Sequence, residues 1–395
     1  MATFEEGVSE TLQVLRHHGP ATRSKLALIS GLSRSAVNLR LDALLGANLV
    51  RGSQGEASTK GRPADLFAFH ERRGRLLVAD IGATKFRAGL CDLSGSVEVE
   101  ESIEVDVAGG PESVLGIVLE CFERFLKATN VDREVILGVG VSVPAPVKSG
   151  AGMTVNPPII PRWNRFDVPA WFAPHFACPV YLEKDANAMA LGEARLAFPG
   201  IENLLMVKMG TGIGSGMVHN GQLFRGADGA AGDLGHTQLA LIDADEGPLC
   251  KCGNHGCLEA YAGGWAILRD LQETGAAVDT QDDLVALLAS GHPEAIRLVR
   301  RAGRYVGAAI ASAVNMVNPR VVVLGGRMVA AGGDHLFASI REMVYRRSLP
   351  LATAELQITR SSLYPRGGLI GLSHLVADAI LAPEQIGRLV SKTDR

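Results

Sequence analysis

Residues 76–85 read LLVADIGATK, an apolar run that passes directly into a turn of glycine, threonine and lysine. This pattern predicts a buried strand that presents polar side chains at its end. Glycine lets backbone approach a phosphate, threonine and lysine donate to its oxygens, and an aspartate can hold a metal-bound water. Asp80, Gly82, Thr84 and Lys85 are therefore candidate phosphate-binding residues, although strands that end in such turns are common.

A second apolar run, residues 204–209, is followed by the glycine-rich turn GTGIGSG at 210–216. Gly210, Thr211 and Gly212 are candidate phosphate-binding residues for the same reasons. The two turns lie about 130 residues apart, and each opens a glycine-rich half of the chain. Their repetition predicts two duplicated lobes with a cleft between them.

The pattern after residue 75 is typical of an α/β protein. Apolar runs at 135–143, 180–182 and 321–324 alternate with helical stretches at 111–129 and 186–197. Lys184 and Asp185 follow one of these strands directly. A carboxylate at a strand end can accept the proton of a sugar hydroxyl during phosphoryl transfer, so Asp185 is the candidate catalytic base; the alternative is that it only caps the following helix.

Three cysteines cluster in the segment CKCGNHGC at 250–257, downstream of His236. Cys250, Cys252, Cys257 and His236 form a donor set that suits tetrahedral structural zinc, and the two glycines permit a tight loop. His255 is a rival for the fourth position, and a set of unliganded thiols is the alternative to a metal site.

The first 72 residues predict a winged helix-turn-helix. Helical spacing covers residues 8–18 and 23–29, Thr22 and Ser33 are candidate caps, and Gly31 supplies the turn between the second and third helices. Strands at 49–51 and 64–69, with a polar loop between them, complete the predicted wing.

Charge favours a nucleic-acid role for this segment. Residues 16–75 contain eleven Lys/Arg and four Asp/Glu, whereas residues 76–395 carry a balance of -7. A basic module beside an acidic remainder is typical of a protein that faces a polyanion through one part only, although a solvated basic face would look similar. With the helix-turn-helix layout, the predicted polyanion is operator DNA. The candidate DNA contacts are Arg23, Lys25, Ser33, Arg34, Ser35, Asn38, Arg40, Lys60 and Arg62.

Composition and length set the broad class. The chain has 395 residues, 47% hydrophobic and 21% charged, which favours two or three folded domains. We divide it into a winged helix-turn-helix at 1–72 and a two-lobed body at 73–395, with the metal loop at 236–257. Without a long apolar run or a basic, apolar start, we expect a cytoplasmic protein with no membrane partner.

Taken together, residues 80–85, 184–185, 210–216, 232–236 and 250–259 resemble the ROK family of sugar kinases and sugar-responsive repressors. The most specific part is His236 with the pattern Cys-x-Cys-Gly-x-x-Gly-Cys-x-Glu. The resemblance covers nearly the whole chain and implies an actin- and hexokinase-like (ribonuclease H-like) fold, a sugar in the cleft, and a homodimer or homotetramer. It also assigns residues to the sugar, namely Asn156, Lys184, Asp185, Asp233, His236 and Glu259.

Four departures from the family kinases favour a regulator. Lys184 replaces an asparagine, Asp233 a glutamate, and Ala83 and Ser215 replace glycines. These changes suggest an altered or anionic ligand and argue against efficient phosphorylation. The leading hypothesis is a sugar-responsive repressor; the alternatives are a glucokinase-like enzyme that uses ATP-Mg²⁺ and carries an added DNA-binding domain, and a regulator whose input is a partner protein.

Overall fold

The computed structural model describes residues 3–54, 65–239 and 247–391. Its N-terminal unit contains three helices and a small sheet: α1 (Phe4–His18), β1 (Ala21–Thr22), α2 (Arg23–Ser30), α3 (Arg34–Gly46), β2 (Val50–Gln54) and β3 (Asp65–Phe69). The side chains of Thr22 and Ser33 cap α2 and α3, and Gly31 ends α2 in the left-handed conformation. The elements follow the predicted order, and β2 extends into the segment predicted as loop.

The first lobe of the body is built on one five-stranded sheet. The strands of this sheet are β4 (Arg75–Ile81), β5 (Lys85–Asp92), β6 (Val97–Glu104), β7 (Ile136–Val143) and β10 (Val180–Lys184). Between β7 and β10 in the chain, β8 (Val147–Lys148) and β9 (Met153–Thr154) form a separate two-stranded ribbon. The sheet order is β10-β7-β4-β5-β6. Its helices are α4 (Pro111–Thr129), α5 (Val168–Phe172) and α6 (Asp185–Gly192). The helix predicted at 186–197 ends at Gly192, and a π-helical turn, Glu193–Ala197, continues it.

The second lobe is built on a second five-stranded sheet. Its strands are β11 (Leu204–Met209), β12 (Ile213–His219), β13 (Gln222–Phe224), β14 (Val321–Gly325) and β15 (Gln357–Arg360), in the order β13-β12-β11-β14-β15. The helices that follow β13 in the chain are α7 (Leu258–Ala262), α8 (Gly264–Glu273), α9 (Gln281–Ala289), α10 (Pro293–Val317), α11 (Arg327–Arg347), α12 (Pro350–Thr353), α13 (Gly367–Ile380) and α14 (Pro383–Ser391).

Helices α6 and α13 pack closely against each other. Their approach depends on small residues, because a Cβ on Gly371 of α13 would overlap with the carbonyl oxygen of Ala188 in α6. Both helices begin at the cleft between the lobes: α6 starts with Asp185, and Gly368 near the start of α13 lies against the carboxylate of Asp80.

One apolar core joins the N-terminal unit to the first lobe. Val8, Leu12 and Leu15 of α1 belong to the same buried cluster as Leu372 and Val376 of α13. The far face of the first sheet packs on α4, and the second sheet has its own core against α10 and α11. The division at residue 72 falls in the short turn Glu71–Arg73, and apolar packing crosses it.

Within residues 3–54, 65–239 and 247–391, no single helix has the length and apolarity to cross a membrane. One bent pair, Gly367–Ile380 with Pro383–Val390, meets the length and composition test across a 68° bend. Its first member is α13, most of whose residues are buried in the body.

Candidate functional site

A cleft of about 200 Å³ lies between the two sheets. The predicted residues that line it are Asp80, Gly82, Thr84, Lys85, Lys184, Asp185, Gly210, Thr211, Gly212, Asp233, His236 and Glu259. The fold therefore brings together side chains that are up to 179 positions apart, from Asp80 to Glu259. Among the predicted sugar residues Asn156 is the exception: it is exposed and does not line the cleft, whereas Pro158 and Ile159 do.

The first glycine turn connects β4 to β5. The amide of Gly82 donates to the carbonyl oxygen of Lys85 at 2.8 Å, which closes the turn. Asp80, one residue before the end of β4, is half-buried and accepts a hydrogen bond of 2.5 Å from the Ser142 hydroxyl. Burial raises the pKa of Asp80, against the lowering effect of Lys208 and of the Ser142 hydroxyl. Thr84 is exposed at the tip of the turn.

The second glycine turn connects β11 to β12 and rests on Glu259. The carboxylate of Glu259 accepts the Ile213 amide at 2.9 Å and the Trp265 indole N–H at 3.2 Å. A Cβ on Gly212 would overlap with this carboxylate, so the close approach favours glycine. Thr211 accepts a hydrogen bond of 3.1 Å from the side chain of Gln281. Glu259 thus supports the turn in addition to lining the cleft.

Asp185, the candidate base, is paired with Lys208, a residue that was not predicted from the sequence. Its Oδ2 forms an ion pair with Lys208, and its Oδ1 accepts the Ala186 amide at 2.6 Å. Burial opposes the charge on Lys208, but the carboxyl groups of Asp185 and Asp80 outweigh it and raise the pKa of Lys208. The only sequence signal was a lysine inside the apolar strand Leu204–Met209.

Two of the departures from the family pattern form one ion pair. The ammonium of Lys184 lies 3.1 Å from Asp233 Oδ1 and donates to the carbonyl oxygen of Ala231 at 2.8 Å. Lys184 is 6% exposed, so its charge is satisfied inside the protein. A charge that is already paired attracts an anion weakly, which argues against the predicted anionic ligand.

The predicted metal ligands lie together. Donor atoms of His236, Cys250, Cys252 and Cys257 all fall within 4.8 Å of one another. Cys250 Sγ is 3.7 Å from His236 Nδ1, and Cys252 Sγ is 3.6 Å from Cys257 Sγ. Three thiols and one imidazole at this spacing fit a tetrahedral cation of the zinc type. The rival His255 does not belong to the group, and its Nδ1 pairs with the carbonyl oxygen of Gly247 at 3.0 Å.

The metal cluster borders the cleft through His236. This residue lines the cleft and also belongs to the four-residue cluster. Burial raises the pKa of Cys257 to about 11, so a bound cation would have to displace its proton. A cation there would fix the orientation of one cleft wall.

The predicted DNA contacts of the N-terminal unit divide into three groups. Lys25, Ser33, Arg34, Ser35 and Asn38 are exposed on α2 and on the first turns of α3 or its cap. Their exposure leaves these side chains accessible to a partner, and the DNA contacts themselves stay a prediction.

The second group consists of arginines with partners inside the unit. Arg23 pairs with Asp65 at 3.1 Å, and its guanidinium lies 4.4 Å from the ring centroid of Phe67. Arg40 departs from the prediction, because its guanidinium packs over Gly7 of α1 and one of its nitrogens is buried. The third group, Lys60 and Arg62, lies outside the described residues.

Comparison with known proteins confirms the resemblance. The profile of the ROK family matches residues 77–379. The xylose repressor of Bacillus spizizenii is 28% identical over 386 residues, which cover 96% of this chain and 97% of the relative. A solved ROK family transcriptional regulator, a homologue of the E. coli MLC protein, superposes with a TM-score of 0.83 at 25% identity and covers 98% of this chain and 99% of its own. The ROK hexokinase of Thermus thermophilus superposes with a TM-score of 0.65 at 33% identity, covering 78% of this chain and 99% of its own.

The family profile begins within β4 and ends within α13, so it contains both glycine turns, Asp185 and the metal cluster. The solved regulator matches the N-terminal unit as well, since it covers nearly the whole chain. With more than half of its residues matched by the profile and its two sheets matched by solved members, this chain belongs to the ROK family.

Proposed function

We propose that this chain is a DNA-binding transcriptional repressor controlled by a sugar or sugar derivative bound in the cleft. The observation that carries the proposal is the continuous core between the N-terminal unit and the first lobe. The similarity to a xylose repressor extends over 96% of the chain, whereas the ROK hexokinase covers 78%.

In this function α3 lies in the major groove of operator DNA. The exposed side chains at its start, Ser33, Arg34, Ser35 and Asn38, are types that hydrogen-bond base edges and phosphates. We propose a homodimer or homotetramer, because two such helices would read a two-fold-symmetric operator.

Cleft and DNA-binding unit are coupled through one carboxylate at the far end of α13. Asp378 pairs with Arg16 of α1 at 2.9 Å and with Arg195 at 3.0 Å. α6 starts at Asp185, and the π-helical turn that continues it holds Arg195. α13 starts beside Asp80 and holds Asp378 near its end. Both helices therefore lead from the cleft to the Asp378 side chain, which pairs with Arg16 of α1.

A second contact holds α1 to this region. The hydroxyl of Ser9 donates to the carbonyl oxygen of Leu381 at 2.7 Å, and both groups are buried. Movement of α6 against α13 on ligand binding would thus change the position of α1. Coupling of this kind is reciprocal, so operator DNA should weaken sugar binding.

We propose that the sugar is neutral and that the cation in the four-residue cluster is Zn²⁺. The paired state of Lys184 supports a neutral ligand. The three cysteine ligands favour zinc over the oxygen-preferring cations. Asp233 and His236 would then contact sugar hydroxyls.

The test is operator binding by the full-length, zinc-loaded protein. DNA selected from a random duplex pool is measured by fluorescence anisotropy, and neutral pentoses, hexoses and N-acetylhexosamines are then screened for an effect on binding. Arg34→Ala should weaken binding by about 1–3 kcal/mol. Lys127→Ala, which removes one exposed cation on α4, is the matched control and should change little. Failure to select any DNA would reject the proposal.

Asp378→Asn tests the coupling separately. It keeps the shape of the side chain but removes the charge shared by Arg16 and Arg195. We expect operator and sugar to bind individually with little change, while the effect of sugar on operator affinity becomes smaller. An unchanged sugar response would exclude Asp378 from the coupling.

The second candidate function is an ATP-dependent sugar kinase. It is favoured by Asp185 and both glycine turns lying in one cleft. An assay coupled to ADP release, with Asp185→Asn as the control, tests it. The ion pair between Asp185 and Lys208 argues against turnover, because a carboxylate that holds an ammonium is a weak proton acceptor.

A further inference from the structure

Lys208 lines the cleft together with the carboxyl groups of Asp80 and Asp185. It forms an ion pair with Asp185, and its charge lowers the pKa of Asp80 against the larger, raising effect of burial. The Asp185 side chain is 7% exposed and that of Lys208 is 23% exposed, so the ammonium borders the cleft while its partner lies deeper. The three side chains form one charge cluster at the meeting point of the two sheets.

The register of the sheets explains this meeting. Asp80 is the penultimate residue of β4, and Lys208 is the penultimate residue of β11. β4 and β11 are the central strands of their sheets. β4 pairs in parallel with β7, which places Asp80 beside Ser142. β11 pairs in parallel with β14, which places Lys208 beside Gly325. Equivalent positions of the two lobes thus carry opposite charges.

We propose that Lys208 takes the place of a divalent cation between Asp80 and Asp185, so that the cleft binds its sugar without magnesium and without a magnesium nucleotide. This inference rests on the proposed function, and it identifies the side chain that separates a sugar sensor from a phosphoryl-transfer site.

The carboxylate oxygens leave little room for a metal. Asp185 uses Oδ2 for Lys208 and Oδ1 for the Ala186 amide. Asp80 uses Oδ1 for Ser142, and its Oδ2 is covered so closely by Gly368 that no Cβ would fit there. Mg²⁺ needs near-ideal octahedral oxygen coordination, and phosphoryl transfer relies on such an ion to neutralise developing charge. A fixed ammonium repels the cation and already offsets the charge of the carboxylate with which it pairs.

The experiment measures Mn²⁺ binding by electron paramagnetic resonance, with the cysteine cluster saturated with Zn²⁺ beforehand. The variants are Lys208→Gln, the charge-conserving Lys208→Arg, and the double variant Lys208→Gln with Asp185→Asn. We expect wild type and Lys208→Arg to bind no Mn²⁺ in the cleft. Lys208→Gln should gain one bound Mn²⁺ in the cleft, because the repulsion is removed, and the double variant should lose it again.

A parallel measurement needs no variant. Any neutral pentose, hexose or N-acetylhexosamine that raises the melting temperature of the wild type should raise it equally with and without added Mg²⁺. Mg-ADP should leave the melting temperature unchanged. A wild-type cleft that binds Mn²⁺, or a Mg-ADP shift in the wild type, would overturn the proposal, as would a folded Lys208→Gln that gains no Mn²⁺. These measurements contain no DNA, so their failure is distinct from failure of the repressor function, which is read from operator binding.

Discussion

The two lobes have the same sheet topology but different attachments. In each sheet the first strand is central, pairs antiparallel with the second and parallel with the fourth, and the third and fifth strands form the edges. The predicted duplication is therefore confirmed. The first sheet shares its core with the N-terminal unit, whereas the second sheet packs against α10 and α11.

The difference shows where function resides in a duplicated fold. Identical strand order brings position 80 of one lobe and position 208 of the other to the same cleft, and the side chains there decide its charge. One lobe is joined to the candidate DNA-binding unit and the other approaches the metal cluster through His236. A sugar bound between them, as proposed, would contact both lobes.

The largest effect should come from the metal cluster. Cys252→Ser removes one of four ligands, and we expect complete loss of bound zinc, measured by mass spectrometry, with weaker sugar binding because His236 is no longer held. Cys178→Ser, half-buried and outside the cluster, is the control and should keep its zinc. Full zinc stoichiometry in Cys252→Ser would reject the ligand assignment.

The close packing of α6 against α13 should be disrupted by one added methyl group. Gly371→Ala would press on the Ala188 carbonyl, and we expect a loss of about 3 kcal/mol in the free energy of unfolding. Gly116→Ala in α4 has open space around its Cβ and should be neutral or stabilise by about 0.4–1 kcal/mol. Urea unfolding followed by circular dichroism compares them; equal midpoints would show that the helices can separate without cost.

The seam between the first lobe and the N-terminal unit should be pH-sensitive. Burial lowers the pKa of His374 on α13 to about 4. Above its ordinary pKa of 6.5 the imidazole is neutral in both states, and its contribution to stability is fully present. As pH falls from 6.5 towards 4, the unfolded chain binds a proton that the folded chain refuses, so stability decreases, by about 3 kcal/mol in all.

The variant that checks this prediction is His374→Leu. Its free energy of unfolding should depend less steeply on pH between 6.5 and 4 than that of the wild type, whereas His18→Gln, at an exposed position on α1, should keep the wild-type slope. A slope that survives in His374→Leu would assign the titration to another group.

The smallest effect should be confined to the N-terminal unit. Ser33 caps α3 by accepting the Ala36 amide at 3.2 Å, and Ser33→Ala should cost about 1 kcal/mol. Ser24→Ala on the exposed face of α2 is the control. Hydrogen exchange of the first amides of α3 should accelerate only in Ser33→Ala. Acceleration that spread into α13 would mean that the shared core transmits local opening.

Local patterns made much of this protein predictable. The strand before each glycine turn, the caps at Thr22 and Ser33, and the cysteine spacing are encoded within a few residues of one another. Such signals survive without tertiary context because backbone conformation and short loops create them directly. The α/β class, the two lobes and the three cysteines of the metal cluster follow from these signals.

The sequence by itself thus determined the elements, the turns and the donor types of the metal cluster. Only the tertiary structure decided that His236 rather than His255 completes the cluster, that Lys184 neutralises Asp233, that Lys208 faces Asp185, and that α1 shares a core with α13. The reason is physical: these pairs lie far apart in the chain, and sheet register and helix crossing, which depend on packing of the whole molecule, determine which side chains meet.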